Sequence, residues 1–215
     1  MAAMSEEQTL SRAERNRLQL RADIVEAAFI EFSERGYHQT AIADIARRLG
    51  IGHGTFYRYF ENKRDILDHV ISETLRRLTD LLTGENAPTA VATLEEYREQ
   101  CRRIAARFRE FAAANPGALR LVLMEATSID DDMTQRLFGL IEMLGQVVAS
   151  YMANGVQRGF FRADLDCQAT GQAIIGMIMG GMMLFLSRPD DPAALERYSE
   201  AIVSLLVGGM AATAA

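Results

Sequence analysis

Cysteine, histidine, lysine and long apolar runs are all scarce in this chain. The two cysteines of its 215 residues, Cys101 and Cys167, stand far apart and lack metal-ligand spacing. A reduced, cytoplasmic protein is the expectation. No apolar run reaches the length expected of a membrane span, and no charged-then-apolar leader opens the chain. Nucleophile elbow, P-loop and zinc-binding helix are absent. The three histidines, His38, His53 and His69, are scattered through the first third. A helical enzyme is therefore the weaker reading, and neither cofactor nor metal is expected. Of 23 basic residues only Lys63 is lysine.

What is present is helical periodicity. Hydrophobic residues make up 49% of the chain, enough for a sizeable core. From Thr40 to Lys63 the chain reads TAIADIARRLGIGHGTFYRYFENK. Ile42, Ile45, Ala46 and Leu49 recur at three and four residues and form one helical stripe. Thr40 has the chemistry of an N-cap. Gly50 suits the left-handed position that ends a helix. A second short helix is predicted to start at Gly52 to Gly54 and to carry Thr55 through Phe60. Phe56 and Phe60, four apart, would pin it to a core. Two short helices joined by a glycine turn make a helix-turn-helix, whose second member can enter the DNA major groove. His53, Gly54, Thr55, Tyr57, Arg58 and Tyr59 then face outward, with donors for phosphates and base edges and rings for thymine methyls.

This stretch resembles the N-terminal DNA-binding domain of the TetR family of bacterial transcriptional repressors. The resemblance rests on the Ile45-Ala46 pair, Leu49-Gly50, the Gly54-Thr55-Phe56-Tyr57 run, Tyr59-Phe60 and Lys63, and covers roughly residues 18 to 70. Gly52 departs from it, since family members often carry a serine cap there. The resemblance implies that Lys63 contacts the DNA backbone, that the last two long helices form a four-helix dimer interface, and that a small-molecule pocket lies in the body.

Charge distribution fits such a division. The net charge of −6 belongs mostly to the body: residues 1–64 hold 10 Lys+Arg against 9 Asp+Glu, and residues 65–215 hold 13 against 20. An acidic body repels phosphate and leaves the head to approach DNA. Four parts are expected: a flexible tail at 1–17, a helix-turn-helix domain at 18–70, a helical ligand-binding and dimerisation domain at 71–208, and a flexible tail at 209–215. The fold class is all-α, a three-helix head plus a larger body, about nine helices in total.

Along the chain, Leu20, Ile24, Ala27, Ala28 and Phe32 predict a first helix over 18–35, with Glu31, Glu34 and Arg35 on its outer face. Asn62 is placed to cap a long helix from Lys63 to about Leu82. The cations Lys63 and Arg64 at its start oppose the helix dipole, which a phosphate would relieve and Asp65 could also screen. A stripe through Leu94, Tyr97, Cys101, Ile104, Phe108 and Phe111 predicts a helix over 90–114, ended by Asn115-Pro116-Gly117. Asp130, Asp131 and Asp132 open another helix; a negative charge at a helix start explains them better than a metal site does. The run from Ala169 to Leu186 is apolar all round and predicts burial on more than one side, with Gly176 and Gly180 allowing close approach. A last helix runs from Pro192 to about Val207.

Phe108, Phe111, Met124, Met133, Phe138, Met143 and Met177 are candidate effector contacts. Met accommodates varied shapes, although plain core would use the same residues. The expected function is a homodimeric, ligand-responsive repressor that leaves a palindromic operator when an apolar or amphipathic effector binds. An activator of the same fold, or a helical interaction protein without ligand response, remains open.

Overall fold

The computed structural model describes residues 11–188 and 190–212. Among the described residues the chain is built from nine α-helices and short tighter or wider turns, with one isolated bridge between Phe161 and Ala211. It divides into two compact units, Met1–Thr74 and Leu75–Ala215.

The first unit holds α1 (Arg12–Arg35), α2 (Ile42–Leu49), α3 (His53–Phe56) and most of α4 (Lys63–Asp80). Helix α1 starts at Arg12, well before the residue-18 start that apolar spacing predicts. The cause is a capping box: the Ser11 side chain accepts the Glu14 N–H at 3.2 Å, and the Glu14 carboxylate accepts the Ser11 N–H at 2.8 Å. Residues 11–17 are therefore helical or capping rather than tail, and the rest of the predicted N-terminal tail lies outside the described residues. Ile24, Ala28, Phe32, Ile45, Ala46, Phe56, Phe60, Ile66 and Leu67 are buried and form the core. The Asn62 side chain accepts the Asp65 N–H at 2.9 Å, as its position before α4 predicts.

The second unit holds α5 (Leu94–Ala114), α6 (Pro116–Arg120), α7 (Asp131–Arg158), α8 (Cys167–Ser187) and α9 (Pro192–Met210). Thr93 and Glu96 form the capping box of α5, and Asp130, Asp166 and Asp191 each accept a backbone N–H at the start of α7, α8 and α9. After α6 the coil widens into a π turn over Leu121–Glu125 and tightens over Ala126–Ser128. The core gathers Tyr97, Tyr151, Met152, Phe161, Ile174, Val203, Leu206 and Met210.

Helix α8 departs from expectation in two ways. It is 21 residues long with a mean hydropathy of 1.6, so by length and composition it could reach across a bilayer, contrary to the shorter apolar run expected. Yet it packs within the helical body. A Cβ at Gly171 would stand 2.5 Å from Gly145 O, and the Tyr198 hydroxyl of α9 donates to Met177 O at 2.9 Å. Nor is it enclosed: only Gly171, Ile174, Ile175 and Gly181 are buried. The close approaches fall at Gly171, Gly180 and Gly181, so the expectation holds at Gly180, while Gly176 faces open space. Gly180 meets the Tyr198 hydroxyl.

The C-terminal segment is also more ordered than predicted. Helix α9 continues to Met210, Arg162 N–H donates to Met210 O at 3.0 Å, and Ala212 N–H to Phe160 O at 3.1 Å. Residues 213–215 of the predicted tail lie outside the described residues.

Candidate nucleic-acid interface

Helix α2 ends as predicted. Gly50 adopts φ 66°, and its N–H turns back to Ala46 O and Arg47 O, which places α3 at an angle to α2. Its start differs. The cap residue is Ala41, whose N–H is accepted by the Asp44 carboxylate at 3.0 Å. Thr40 is 2% exposed, and its hydroxyl donates to Gly36 O at 2.8 Å and Glu31 O at 3.2 Å. Thr40 thus ties the end of α1 to the turn and is neither helix cap nor free donor.

Helix α3 is a single turn. Phe56 ends it, and Tyr57, Arg58 and Tyr59 continue as turns bonded to His53 O, Thr55 O and Phe56 O. This is shorter than the helix through Phe60 that spacing predicts. Gly52 supplies no side-chain cap, so nothing beyond main-chain bonding extends the coil. Phe56 and Phe60 are buried with ring centroids 5.8 Å apart, as their spacing requires. Between them Tyr57 is 53% exposed and Arg58 is exposed, while Thr55 and Tyr59 are half-buried. His53 and Gly54 are exposed, and the His53 ring meets Tyr57 edge-on at 6.4 Å.

Lys63 opens α4, as predicted. Its Nζ donates to Tyr37 O at 2.9 Å and Thr40 O at 3.1 Å, and stands 4.3 Å from the Tyr37 ring centroid. Burial lowers its pKa below the ordinary 10.5. The amine is therefore folded back onto the α1–α2 turn instead of projecting from the start of α4.

Spacing also missed an ionic cluster beneath the helix-turn-helix. Glu31, expected on the outer face of α1, is 7% exposed. Arg48 Nε donates to it at 2.7 Å, and Arg35 reaches both Glu31 and Asp44. The Ala41 N–H first, then Arg35 and Arg47, hold the Asp44 carboxyl below the usual carboxylate range against the opposing effect of burial. The signal was available: Glu31 follows Ile24, Ala27 and Ala28 on the apolar stripe, at seven, four and three residues.

In the body, the candidate effector residues differ widely in burial. Phe138 is 64% exposed, and Met124 and Met143 are also exposed. Phe108, Phe111 and Met177 are half-buried, Met177 against the main core, and Met133 is fully buried. Helical spacing gives the face a residue occupies but not whether that face is covered, and here part of it is open. An open groove of about 420 Å³ is lined instead by Glu85, Val91, Glu95, Glu96, Glu99 and Arg103, among others. Its carboxylates disfavour an anionic group. No cluster of three metal-ligating side chains occurs among the described residues.

A glycine-turned helix pair on a three-helix head, carrying exposed hydroxyl and guanidinium groups over buried phenylalanines, defines a helix-turn-helix transcriptional regulator. Residues 24–70 match the family model of bacterial regulatory proteins, tetR family. Over 187 residues the chain is 24% identical to the fatty acid metabolism regulator protein of Bacillus subtilis, covering 87% of this chain and 93% of that one. It is also 24% identical to the transcriptional repressor KstR2 of Mycobacterium tuberculosis, over 88% and 92% of the two chains. The structure of FadR from Bacillus subtilis in complex with stearoyl-CoA shares the fold, with a TM-score of 0.71 at 24% identity, covering 87% of this chain and 98% of that chain. Residues 24–70 thus carry the DNA-binding module of the tetR family, and over most of its length the chain is similar to regulators that share that fold.

Proposed function

We propose that this protein is a homodimeric repressor, acting in the cytoplasm, that leaves a palindromic operator when an apolar or amphipathic effector binds its second unit. The observation that carries the DNA-reading part is the alternation at the end of the helix-turn-helix. Phe56 and Phe60 are sealed in the core while Tyr57 and Arg58 are held out between them. His53, Gly54, Thr55 and Tyr59 complete the reading surface. The thymine methyls, base edges and phosphates of a major groove match those groups.

Dimerisation is assigned to α8 and α9. In a single chain α8 keeps Gln172, Ala173, Gly176, Gly180 and Met183 exposed, and α9 keeps Ala201, Leu205 and Gly208 exposed. An apolar helix with one face on the core and another in water favours a second copy over solvent. Two such heads read half-sites about 34–36 Å apart, or a multiple of it.

The effector reading is supported by the stearoyl-CoA complex of the FadR relative and by the half-buried Phe108, Phe111 and Met177 in α5 and α8. An effector must bind the DNA-free state better than the DNA-bound one, because equal affinity shifts nothing. Helix α4 runs unbroken from Lys63 across the division after Thr74 to Asp80, so both units share one helix.

Selection of duplexes from a random library, followed by mobility shift, tests this function. Enriched inverted repeats, released by an effector found by native mass spectrometry of the purified protein, are expected. Enrichment without an inverted repeat would remove the dimeric-reader reading.

A further inference from the structure

Residues 81–93 join α4 to α5 and contain one tight turn, Gly84–Asn86. Irregular backbone that is buried must find its hydrogen-bond donors elsewhere. Here two helices of the body supply them. The Tyr151 hydroxyl of α7 donates to Asn86 O at 2.6 Å and stands 3.5 Å from Leu82 O. Asn154, on the same face of α7, donates Nδ2 to Val91 O at 3.0 Å. Gln100 of α5 donates Nε2 to Ala87 O at 2.9 Å. Asn86, Gln100, Tyr151 and Asn154 are all buried.

The connector passes this hold on to α4. Asn86 Nδ2 turns back to Leu81 O at 3.0 Å, and the Leu81 N–H donates to Leu78 O at 3.2 Å, within the last turn of that helix. Tyr151 thus grips, through one backbone oxygen, the residue whose side chain holds the end of α4. The bonds from Tyr151 and Asn154 are enclosed. Breaking either leaves a buried carbonyl without a donor, which costs more than losing a contact in water. A shift of α7 against α5 therefore carries residues 86–91 along or breaks these bonds.

We propose that Tyr151 is a positioning residue of the ligand response: its hydroxyl ties the connector, and with it the last turn of α4, to α7, so that repacking of α7 around an effector reaches the helix that starts in the head. This deepens the proposed function and rests on its ligand-response reading. Coupling between two ligands is a free energy, and cutting the link between them lowers it without weakening either ligand on its own.

Tyr151→Phe in the full chain tests this by two independent readouts, with stearoyl-CoA as the probe. Phenylalanine keeps the ring in the core and removes the hydroxyl. Hydrogen exchange at the amides of Asn86, Ala87 and Ala90 should accelerate about tenfold, with exchange at Ile45 and Ala46 of α2 unchanged. The factor by which stearoyl-CoA weakens binding to a duplex selected from a random library should fall about fivefold, while affinity for duplex alone and for stearoyl-CoA alone each stays within about twofold of the parent. A hydroxyl that served only the fold would lower the melting temperature and leave that factor as it was. Unaltered exchange, or an unaltered factor, overturns the proposal. If the variant does not fold, the hydroxyl proton of Tyr151 in the unaltered protein decides. A slowly exchanging resonance that shifts with stearoyl-CoA supports the tie; one in fast exchange, or one that stays in place, refutes it. Should stearoyl-CoA release no duplex from the unaltered protein, the ligand-response reading fails for this probe, while the exchange rates still decide for or against the tie.

Discussion

The ring of Phe161 lies directly on the backbone of Gly155, so close that a methyl group at position 155 would stand 2.0 Å from ring Cδ2. Phe161 also meets Tyr97 edge-on at 4.9 Å, and so connects α7, α5 and the segment before α8 at a single point of the body. Gly155→Ala must move the ring or the helix. Despite the better helix propensity of alanine, a loss of about 1–3 kcal/mol is expected, read from the urea midpoint. Gly139→Ala provides the contrast. It lies in the same helix with nothing within 4 Å, and should stabilise by about 0.5–1 kcal/mol. Equal shifts in the two variants would show that propensity, not the Phe161 contact, governs position 155.

Leu205, 67% exposed on α9, lies on the proposed dimer face. Leu205→Glu should leave the single-chain fold intact and raise the dimer dissociation constant about thirtyfold, the equivalent of roughly 2 kcal/mol. Sedimentation velocity across a dilution series measures this. An unchanged dimer population would move the interface away from α9.

Tyr57 and Phe56 are neighbours with opposite duties. Tyr57→Ala should weaken binding to a selected duplex about tenfold, within the range of a lost base contact, with the melting temperature nearly unchanged. Phe56→Ala empties a fully buried site and should cost about 3–5 kcal/mol of stability before any DNA is present. Paired melting and binding curves separate the two effects. Destabilisation by Tyr57→Ala would place that ring in the packing of the head.

Acid sensitivity should reach the head through Asp44. Its folded pKa lies below the ordinary 3.8, chiefly because its carboxylate accepts the Ala41 N–H. A group depressed on folding contributes stability above its unfolded value and loses it as pH falls through the folded one. The contribution is therefore intact at neutral pH and disappears below about pH 4. Asp44→Asn should melt lower than the parent at pH 7, and the gap should narrow progressively as pH falls below about 4. A gap independent of pH would mean that the carboxylate charge is not what matters.

Much of the head is legible in sequence because its signals are local. Gly50, Phe56, Phe60 and Asn62 each act over a few residues, and each stands where spacing puts it. What escaped depends on partners far along the chain. Glu31 looks like surface until Arg48 and Arg35 are brought over it, and Thr40 looks like a cap until its hydroxyl is found on Gly36 O. The early start of α1 was written in Ser11 and Glu14, but Ser11 to Arg17 holds no apolar stripe, so a search for apolar periodicity passes over it. In the body, Met124, Phe138 and Met143 carry the composition of a pocket and the exposure of a surface. Spacing alone cannot separate those two, because coverage is decided by neighbouring helices.

Lys63 gives the fold a chemical consequence beyond its geometry. Every other cationic side chain is an arginine, charged at any pH the protein survives and inert to acyl donors. The one lysine amine, open to acetylating, carbamylating or glycating agents, lies over the Tyr37 ring and donates to the Tyr37 and Thr40 carbonyls. Lysine-directed reagents can therefore remove at most one of the 10 basic charges carried by residues 1–64.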